Sequence, residues 1–218
     1  MTDINKISVL LVDDHAVVRA GFRILLSSQS YIGKITDLAR GELVIQEYEQ
    51  LQPDVVVMDL SMPGIGGLET IRRLLKHSAS AKVLVYSIHD EAIYVERAMD
   101  AGAKGYVSKN SAAEVLAEAV SVIARGDIFI EQQLLSEQQD SQTGQLTEYH
   151  AAIESLAPKE FDVFCLLARG MTAHEVASQL HMGYKTAANY NTQIKQKLNV
   201  SSAAELANIA MILGIIKP

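Results

Sequence analysis

The sequence predicts an α/β domain with a flavodoxin-like sheet of five parallel strands, order 2-1-3-4-5, joined by a linker to an all-α helix-turn-helix domain. Three observations predict it. Short β-branched runs recur through the first half, each ending in a polar residue. Helix-like stretches separate these runs, and alternating strands and helices imply a parallel sheet covered on both faces. The last third of the chain is patterned as helices alone.

The runs are Ser8-Val9-Leu10-Leu11-Val12, Val55-Val56-Val57-Met58, Val83-Leu84-Val85-Tyr86 and Gly105-Tyr106-Val107-Ser108. Each has strand length. Helices are expected at Ala16–Ser28, Glu42–Leu51, Leu68–His77, Ala92–Ala101 and Ala112–Arg125, so the unit reads as five βα pairs. Ser111-x-x-Glu114 reads as a capping box for the last helix, which stops at Gly126. Residues 131–150 change character: six glutamines with Ser and Thr replace the apolar pattern, as in a flexible or partly helical linker. Beyond it, Pro158 suits the first position of a helix to Arg169, ended by Gly170. Thr172-x-x-Glu175 caps a helix to about Leu180, Met182-Gly183 makes a tight turn, and a long helix runs from Tyr184 to Leu198. Ser202-x-x-Glu205 caps a final helix through about Ile212. A short turn between the second and third of four helices describes a helix-turn-helix. The division expected is 1–127, a linker over 128–151, and 152–218.

Asp13, Asp14, Asp59, Ser87 and Lys109 close the apolar runs. Ligands bind such sheets beyond the carboxyl ends of the strands, at the switch point between strands 1 and 3. The five residues therefore meet at one edge. Three crowded carboxylates repel one another, so a cation is needed to keep all three ionised. Oxygen ligands suit Mg²⁺, which keeps positions for water and phosphate. Lys109 and Ser87 supply a point charge and a hydroxyl for a phosphoryl group. The plain alternative takes the acids as ordinary loop residues and Lys109 as a solvated charge.

Val12-Asp13-Asp14-His15, Asp59-Leu60-Ser61-Met62-Pro63-Gly64, Ser87 after its strand, and Tyr106-Val107-Ser108-Lys109 fall in order at strand ends. Together they resemble the receiver domain of two-component response regulators, over about Ile7 to Arg125. The resemblance implies that Asp59 accepts a phosphoryl group from the histidine of a sensor kinase or phosphotransfer domain. It implies Mg²⁺ held by Asp13, Asp14, Asp59 and the carbonyl of Ser61, with Lys109 paired to a phosphoryl oxygen. Ser87 should then swing toward the phosphoryl group and Tyr106 follow inward; the plain alternative makes Tyr106 a half-buried edge aromatic. His15 is expected as a helix-entry residue rather than a ligand, because Mg²⁺ prefers oxygen. His89 reads as an exposed loop histidine near the site. Ile88 stands where many receivers keep a small residue, which would narrow access to the phosphoryl group.

In the tail, Leu156-Ala157-Pro158-Lys159-Glu160, Leu166-Leu167-Ala168-Arg169-Gly170, Glu175-Val176-Ala177, Lys185-Thr186, Lys197-Leu198-Asn199-Val200-Ser201-Ser202 and Glu205-Leu206 resemble the LuxR-type output domain of the NarL/FixJ family. Met62–Glu69 is similar to the GacA/UvrY subgroup. The resemblance implies a regulator that binds promoter DNA, forms a homodimer on phosphorylation and contacts RNA polymerase. It places Ala188, Asn189 and Thr192 toward bases and Lys185 and Thr186 toward phosphate, with Lys195 also in the DNA-binding set. Two departures stand out. Thr186-Ala187-Ala188-Asn189-Tyr190 replaces the usual Thr-Val-Lys-x-His, so Ala188 removes a cation. Ala157 replaces a Thr or Ser cap, at about 1 kcal/mol of helix stability.

Composition sets the limits. The 218 residues carry a net charge of −7. Residues 1–149 hold 13 Lys+Arg against 21 Asp+Glu, or −8, and residues 150–218 hold 6 against 5, or +1. No Asp or Glu lies between Glu175 and Glu205, where Lys185, Lys195 and Lys197 fall. That window is a candidate polyanion face, or else a solvated helix face. The single cysteine, Cys165, excludes an intramolecular disulfide and reads as a buried thiol. A polar start and the lack of any apolar run near 18 residues point to a cytoplasmic protein without membrane partners. Nucleotide loops, Cys/His zinc spacings and nucleophile elbows are absent from the sequence. Two other classes fit less of it: a receiver whose output is protein binding, and a phosphatase using Asp59 covalently. No spare domain offers the second a substrate pocket, so the expected chemistry is self-phosphorylation and autodephosphorylation at Asp59 only.

Overall fold

The computed structural model describes residues 6–136 and 144–216. The chain divides into two compact units, one of residues 1–90 and 94–134 and one of residues 91–93 and 135–218.

The first unit is a parallel sheet flanked by helices. Its strands are β1 (Ile7–Val12), β2 (Ile32–Leu38), β3 (Val55–Met58), β4 (Val83–Ser87), β5 (Gly105–Ser108) and β6 (Phe129–Ile130). They lie in the order β2-β1-β3-β4-β5-β6. The five-strand order 2-1-3-4-5 is therefore present, and a sixth strand extends it. Five strands was an undercount: β6 is two residues long, too short to show a period, and it falls in residues read as linker. It fits because Gly105 has no side chain; a Cβ there would stand 2.4 Å from the Phe129 carbonyl oxygen. β2 alternates weakly and is largely half-exposed, as suits an edge strand.

The helices are α1 (Ala16–Ser27), α2 (Val44–Leu51), α3 (Gly67–His77), α4 (Ala92–Asp100) and α5 (Ala113–Ala124). A single 3-10 turn at Gly41–Leu43 delays α2 by two residues from the expected start. One sheet face presents Val9, Leu11, Val55, Val57, Leu84, Tyr86 and Val107 to Leu26 of α1 and to Leu116, Val120 and Ile123 of α5. The alternate residues Leu10, Val56, Met58, Val83 and Val85 are equally buried, as a sheet covered on both sides requires. Burying a Leu- or Ile-sized side chain contributes about 1.5–3 kcal/mol, so this double core is ample to fix strand register.

The second unit is helical over its described residues. α6 (Gln132–Ser136), which straddles the boundary between the units, and α7 (Gly144–Glu154) make part of the expected linker helical. α8 (Pro158–Ala168), α9 (Ala173–Gln179), α10 (Tyr184–Lys197) and α11 (Ala203–Ile212) follow. Phe161, Phe164 and Val163 of α8 pack with Val176, Ala187, Ile194, Leu206 and Ile209 as fully buried apolar residues. Cys165 is buried among them, as its surroundings in sequence indicated. The capping boxes at Thr172/Glu175 and Ser202/Glu205 both form.

Two local expectations are corrected, and one, the missing cap at Ala157, is borne out. Ser111 does not cap α5, whose N-cap is Ala112; its hydroxyl donates instead to Glu131 Oε1 at 2.5 Å. In the turn after α9, the left-handed residue is His181 (φ 51°) rather than Gly183 (φ −68°). The amide of Met182 bonds back to the Ala177 carbonyl at 2.9 Å, so the turn is an ordinary helix C-terminal motif with histidine in the glycine position. At α8, Ala157 has no side-chain acceptor and only half a capping box exists: the Ala157 amide donates to Glu160 Oε2 at 2.7 Å.

Candidate functional site

β1, β3, β4 and β5 end at the same level of the sheet because they pair in parallel: Val12 lies opposite Met58, Met58 opposite Val85, and Ser87 opposite Ser108. The residues that follow therefore converge. Gly67 lets α3 start directly over Asp59, since a Cβ there would stand 2.2 Å from the Asp59 carbonyl oxygen. Asp59 is 2% exposed, Asp13 5% and Ser87 wholly buried.

Lys109 lies between the acids. Its Nζ donates to Asp13 Oδ2 at 2.7 Å and stands 3.0 Å from Asp59 Oδ2, and it sits 5.9 Å from the Tyr86 ring centroid. The contact to Asp59 is an ion pair without hydrogen-bond geometry, so Asp59 Oδ2 remains buried with no hydrogen-bond partner among the described residues. Asp14 Oδ1 is in the same state, with His15 Nδ1 at 3.1 Å. Burial pushes the Asp59 carboxyl above the ordinary carboxylate range; Lys109 pulls it down, Asp13 pushes it further up, and the Ser61 amide, donating to Oδ1 at 3.2 Å, pulls it down. Tyr86 is pushed up to about 12, by burial first and then by Asp13 and Glu131.

Asp13, Asp14, His15 and Asp59 offer metal-ligating atoms that all lie within 4.8 Å of one another. Two buried carboxylate oxygens without hydrogen-bond partners, in a set dominated by oxygen, fit a hard divalent cation. His15, set aside as a ligand from the sequence, does lie in the cluster, with Nδ1 at 3.2 Å from Asp13 Oδ1; its side chain is mostly exposed.

Other sequence-singled residues are placed differently from expectation. Tyr106 is wholly buried, and its hydroxyl donates to the His89 carbonyl at 2.7 Å. It is not the half-buried edge aromatic of the plain alternative; in this structure the ring already lies inward. His89 is half-buried rather than a free loop residue. Its Nε2 lies 3.1 Å from Ser61 Oγ, its ring stacks on Tyr94 at 4.0 Å, and its amide donates to Ser87 Oγ at 3.2 Å. Ile88, expected to narrow access, is 58% exposed.

Two supporting residues carry no local sequence signal. Arg19 on α1 donates through Nη1 to the Asp13 carbonyl at 2.7 Å and through Nε to Asp37 at 3.0 Å. Glu131, just past β6, accepts from the Ser108 amide at 3.1 Å and from Ser111. Their partners lie 6 to 23 residues away in sequence, beyond the reach of any local pattern.

In the second unit, Lys185, Thr186, Asn189 and Thr192 are exposed on α10, while Ala187 and Ile194 face the core. Ala188 and Lys195 are half-buried. Lys195 Nζ donates to the Ser201 carbonyl at 3.1 Å, so its ammonium is already engaged locally. Tyr184 opens the helix 51% exposed and stacks on His174 at 4.0 Å.

An acid–lysine edge on a doubly covered parallel sheet, followed in the chain by a helix-turn-helix unit, defines a receiving module joined to a nucleic-acid-binding one. Comparison with known proteins agrees over both parts. Residues 9–121 match the response regulator receiver domain, and residues 154–210 match the luxR family of bacterial regulatory proteins. The transcriptional activator protein ExaE of Pseudomonas putida is 38% identical over 213 residues, covering 96% of this chain and 98% of its own length. The response regulator UvrY of Escherichia coli K12 is 32% identical over 209 residues, with 96% and 95% covered. Among solved structures, the RcsB response regulator of Salmonella typhimurium superposes with a TM-score of 0.60 at 25% identity, covering 94% of this chain and 97% of that one. The chain belongs to the NarL/FixJ family of response regulators, with a receiver domain and a luxR-type DNA-binding domain.

Proposed function

We propose that Asp59 is the phosphoryl acceptor through which this regulator is switched, and that α10 delivers the output to promoter DNA. The observation that carries the reading is the buried carboxylate of Asp59 held 3.0 Å from Lys109 and beside Asp13 and Asp14. In the step assigned to it, an Asp59 carboxylate oxygen attacks the phosphorus of a donor phosphohistidine. An O–P bond forms, the P–N bond breaks, and its electron pair stays on the imidazole nitrogen. Lys109 follows the developing charge on the phosphoryl oxygens as a mobile point charge. Ser87 offers its hydroxyl to one of them. Asp13, Asp14, Asp59 and the Ser61 carbonyl would hold Mg²⁺, which supplies charge neutralisation there. Water reverses the modification, so the chemistry assigned to the chain is confined to its own Asp59.

The added phosphoryl group brings about −1.5 to −2 charge to a buried edge. Its output is a homodimer on DNA, with Asn189 toward bases and Lys185 and Thr186 toward phosphates. No helix among the described residues is long and apolar enough to cross a membrane, which supports a cytoplasmic regulator working beside RNA polymerase.

Labelling by acetyl phosphate with Mg²⁺ tests the switch. Asp59→Ala should abolish it, and Asp13→Ala or Asp14→Ala should weaken it. Undiminished labelling of Asp59→Ala removes Asp59 from its role. Sedimentation with and without the phosphodonor tests dimer formation; identical mass in both states counts against it.

A further inference from the structure

The way out of the receiver is fastened to the loop that carries Lys109. β6 pairs with β5 through Phe129 and Ile130, and the Glu131 amide donates to the Tyr106 carbonyl at 3.1 Å. There the backbone ladder ends and a side chain continues it. Glu131 Oε2 accepts from the Ser108 amide at 3.1 Å, and Oε1 accepts from the Ser111 hydroxyl at 2.5 Å. Glu131 thus holds the chain at the residues either side of Lys109–Asn110 and at Tyr106 of β5.

The arrangement displaces a local alternative. Ser111 has the spacing to cap α5 with Glu114, yet it turns to Glu131, and α5 takes Ala112 as its N-cap without a side-chain cap bond. Ser108 is 4% exposed, and Glu131 gives its buried amide an acceptor. Lys109 itself is anchored from behind by its own amide, which donates to the Ser87 carbonyl at 2.7 Å. The loop is therefore gripped on the strand side by Ser87 and on the outer side by Glu131.

We propose that Glu131 is a positioning residue for Lys109, and that the start of the segment leading to the DNA-binding unit is thereby built into the phosphorylation machinery. Release of β6 from β5 would free the β5–α5 loop and lower the rate at which Asp59 is modified. The proposal rests on the assignment of Asp59 and Lys109 given above.

The test uses the full chain, acetyl phosphate and Mg²⁺. Glu131→Ala removes both bonds; Glu131→Gln keeps one acceptor and should recover part of the loss. The maximal phosphorylation rate should fall about tenfold in Glu131→Ala and about threefold in Glu131→Gln, with KM for acetyl phosphate unchanged, because misplacing a group at the reacting atoms acts on the rate. Hydrogen exchange of the Ser108 amide should quicken in the same order, in the absence of phosphodonor and metal. Wild-type maximal rates in both variants overturn the proposal while leaving Asp59 as acceptor. Lack of labelling in the wild-type protein overturns the assignment of Asp59 itself, whatever Ser108 exchange shows.

Discussion

At the residue scale, Asp59 is held between opposing influences. Burial and the neighbouring Asp13 favour its neutral form, and Lys109 and the Ser61 amide favour its charge. A carboxyl whose folded-state pKa exceeds its unfolded value weakens the native state once it must ionise. Metal-free stability should therefore fall as pH rises from the ordinary carboxylate range through the raised value. Asp59→Asn should erase that slope and raise the metal-free Tm at pH 7 by about 2–5 °C. Scanning calorimetry across pH reads both effects, and a lower Tm for Asp59→Asn would contradict them. On α10 Asn189 is exposed rather than packed against a neighbouring helix. Asn189→Ala should relax preference at one base pair per half-site by about 1–3 kcal/mol and leave the salt slope unchanged. Lys185→Ala should weaken all sequences alike and reduce the salt slope by about one per monomer. Affinities over single-base variants at two salt concentrations separate the two, and parallel behaviour of both variants would deny Asn189 a base contact.

At the element scale, legibility followed the range of the interactions. The boxes at Thr172/Glu175 and Ser202/Glu205 were readable because both partners lie within one turn. Ser111/Glu114 misled because Glu131, 20 residues away, offers Ser111 a second partner. β1, β3, β4 and β5 announced themselves as apolar runs because both faces are buried. β2 did not, because an edge strand needs less apolar cover, and β6 is held by the close approach at Gly105 more than by its own two residues. α11 carries the clearest pH dependence. The Ser201 amide, the Ser202 hydroxyl and amide and the Ser201 hydroxyl all donate to Glu205 and hold it down to about 2. A lowered carboxyl contributes stability above its unfolded pKa and loses it as pH falls toward the folded value. The start of α11 should stay fastened down to pH 4.5 and loosen between about 4.5 and about 2. The Glu205 carboxyl resonance followed by NMR should titrate in that window; a midpoint at 4.5 would show the four bonds to be unformed in solution.

At the scale of the whole molecule, two units with separate cores should melt as two transitions. Mg²⁺, assigned above to the acid edge, should raise the transition of the sheet unit by mass action and leave that of the helical unit in place. Calorimetry with and without Mg²⁺, repeated on Asp13→Asn, tests this; an equal shift of both transitions would disprove separate binding. The charge division, −8 before residue 150 and +1 after it, was legible from composition. Where the sheet ends was not, because the ladder from β5 continues past the helix that closes the fifth βα pair.

That two-residue strand also guards a boundary. β5 is buried along its whole length, and with β6 in place its outer amides and carbonyls are largely occupied. A fragment cut at residue 127 would leave Gly105–Ser108 as a bare, uncharged, apolar edge, the kind of surface on which a second sheet can nucleate. Fragments 1–127 and 1–134 should therefore differ in solubility, the shorter one forming light-scattering species rich in β structure on mild warming and the longer one remaining monomeric.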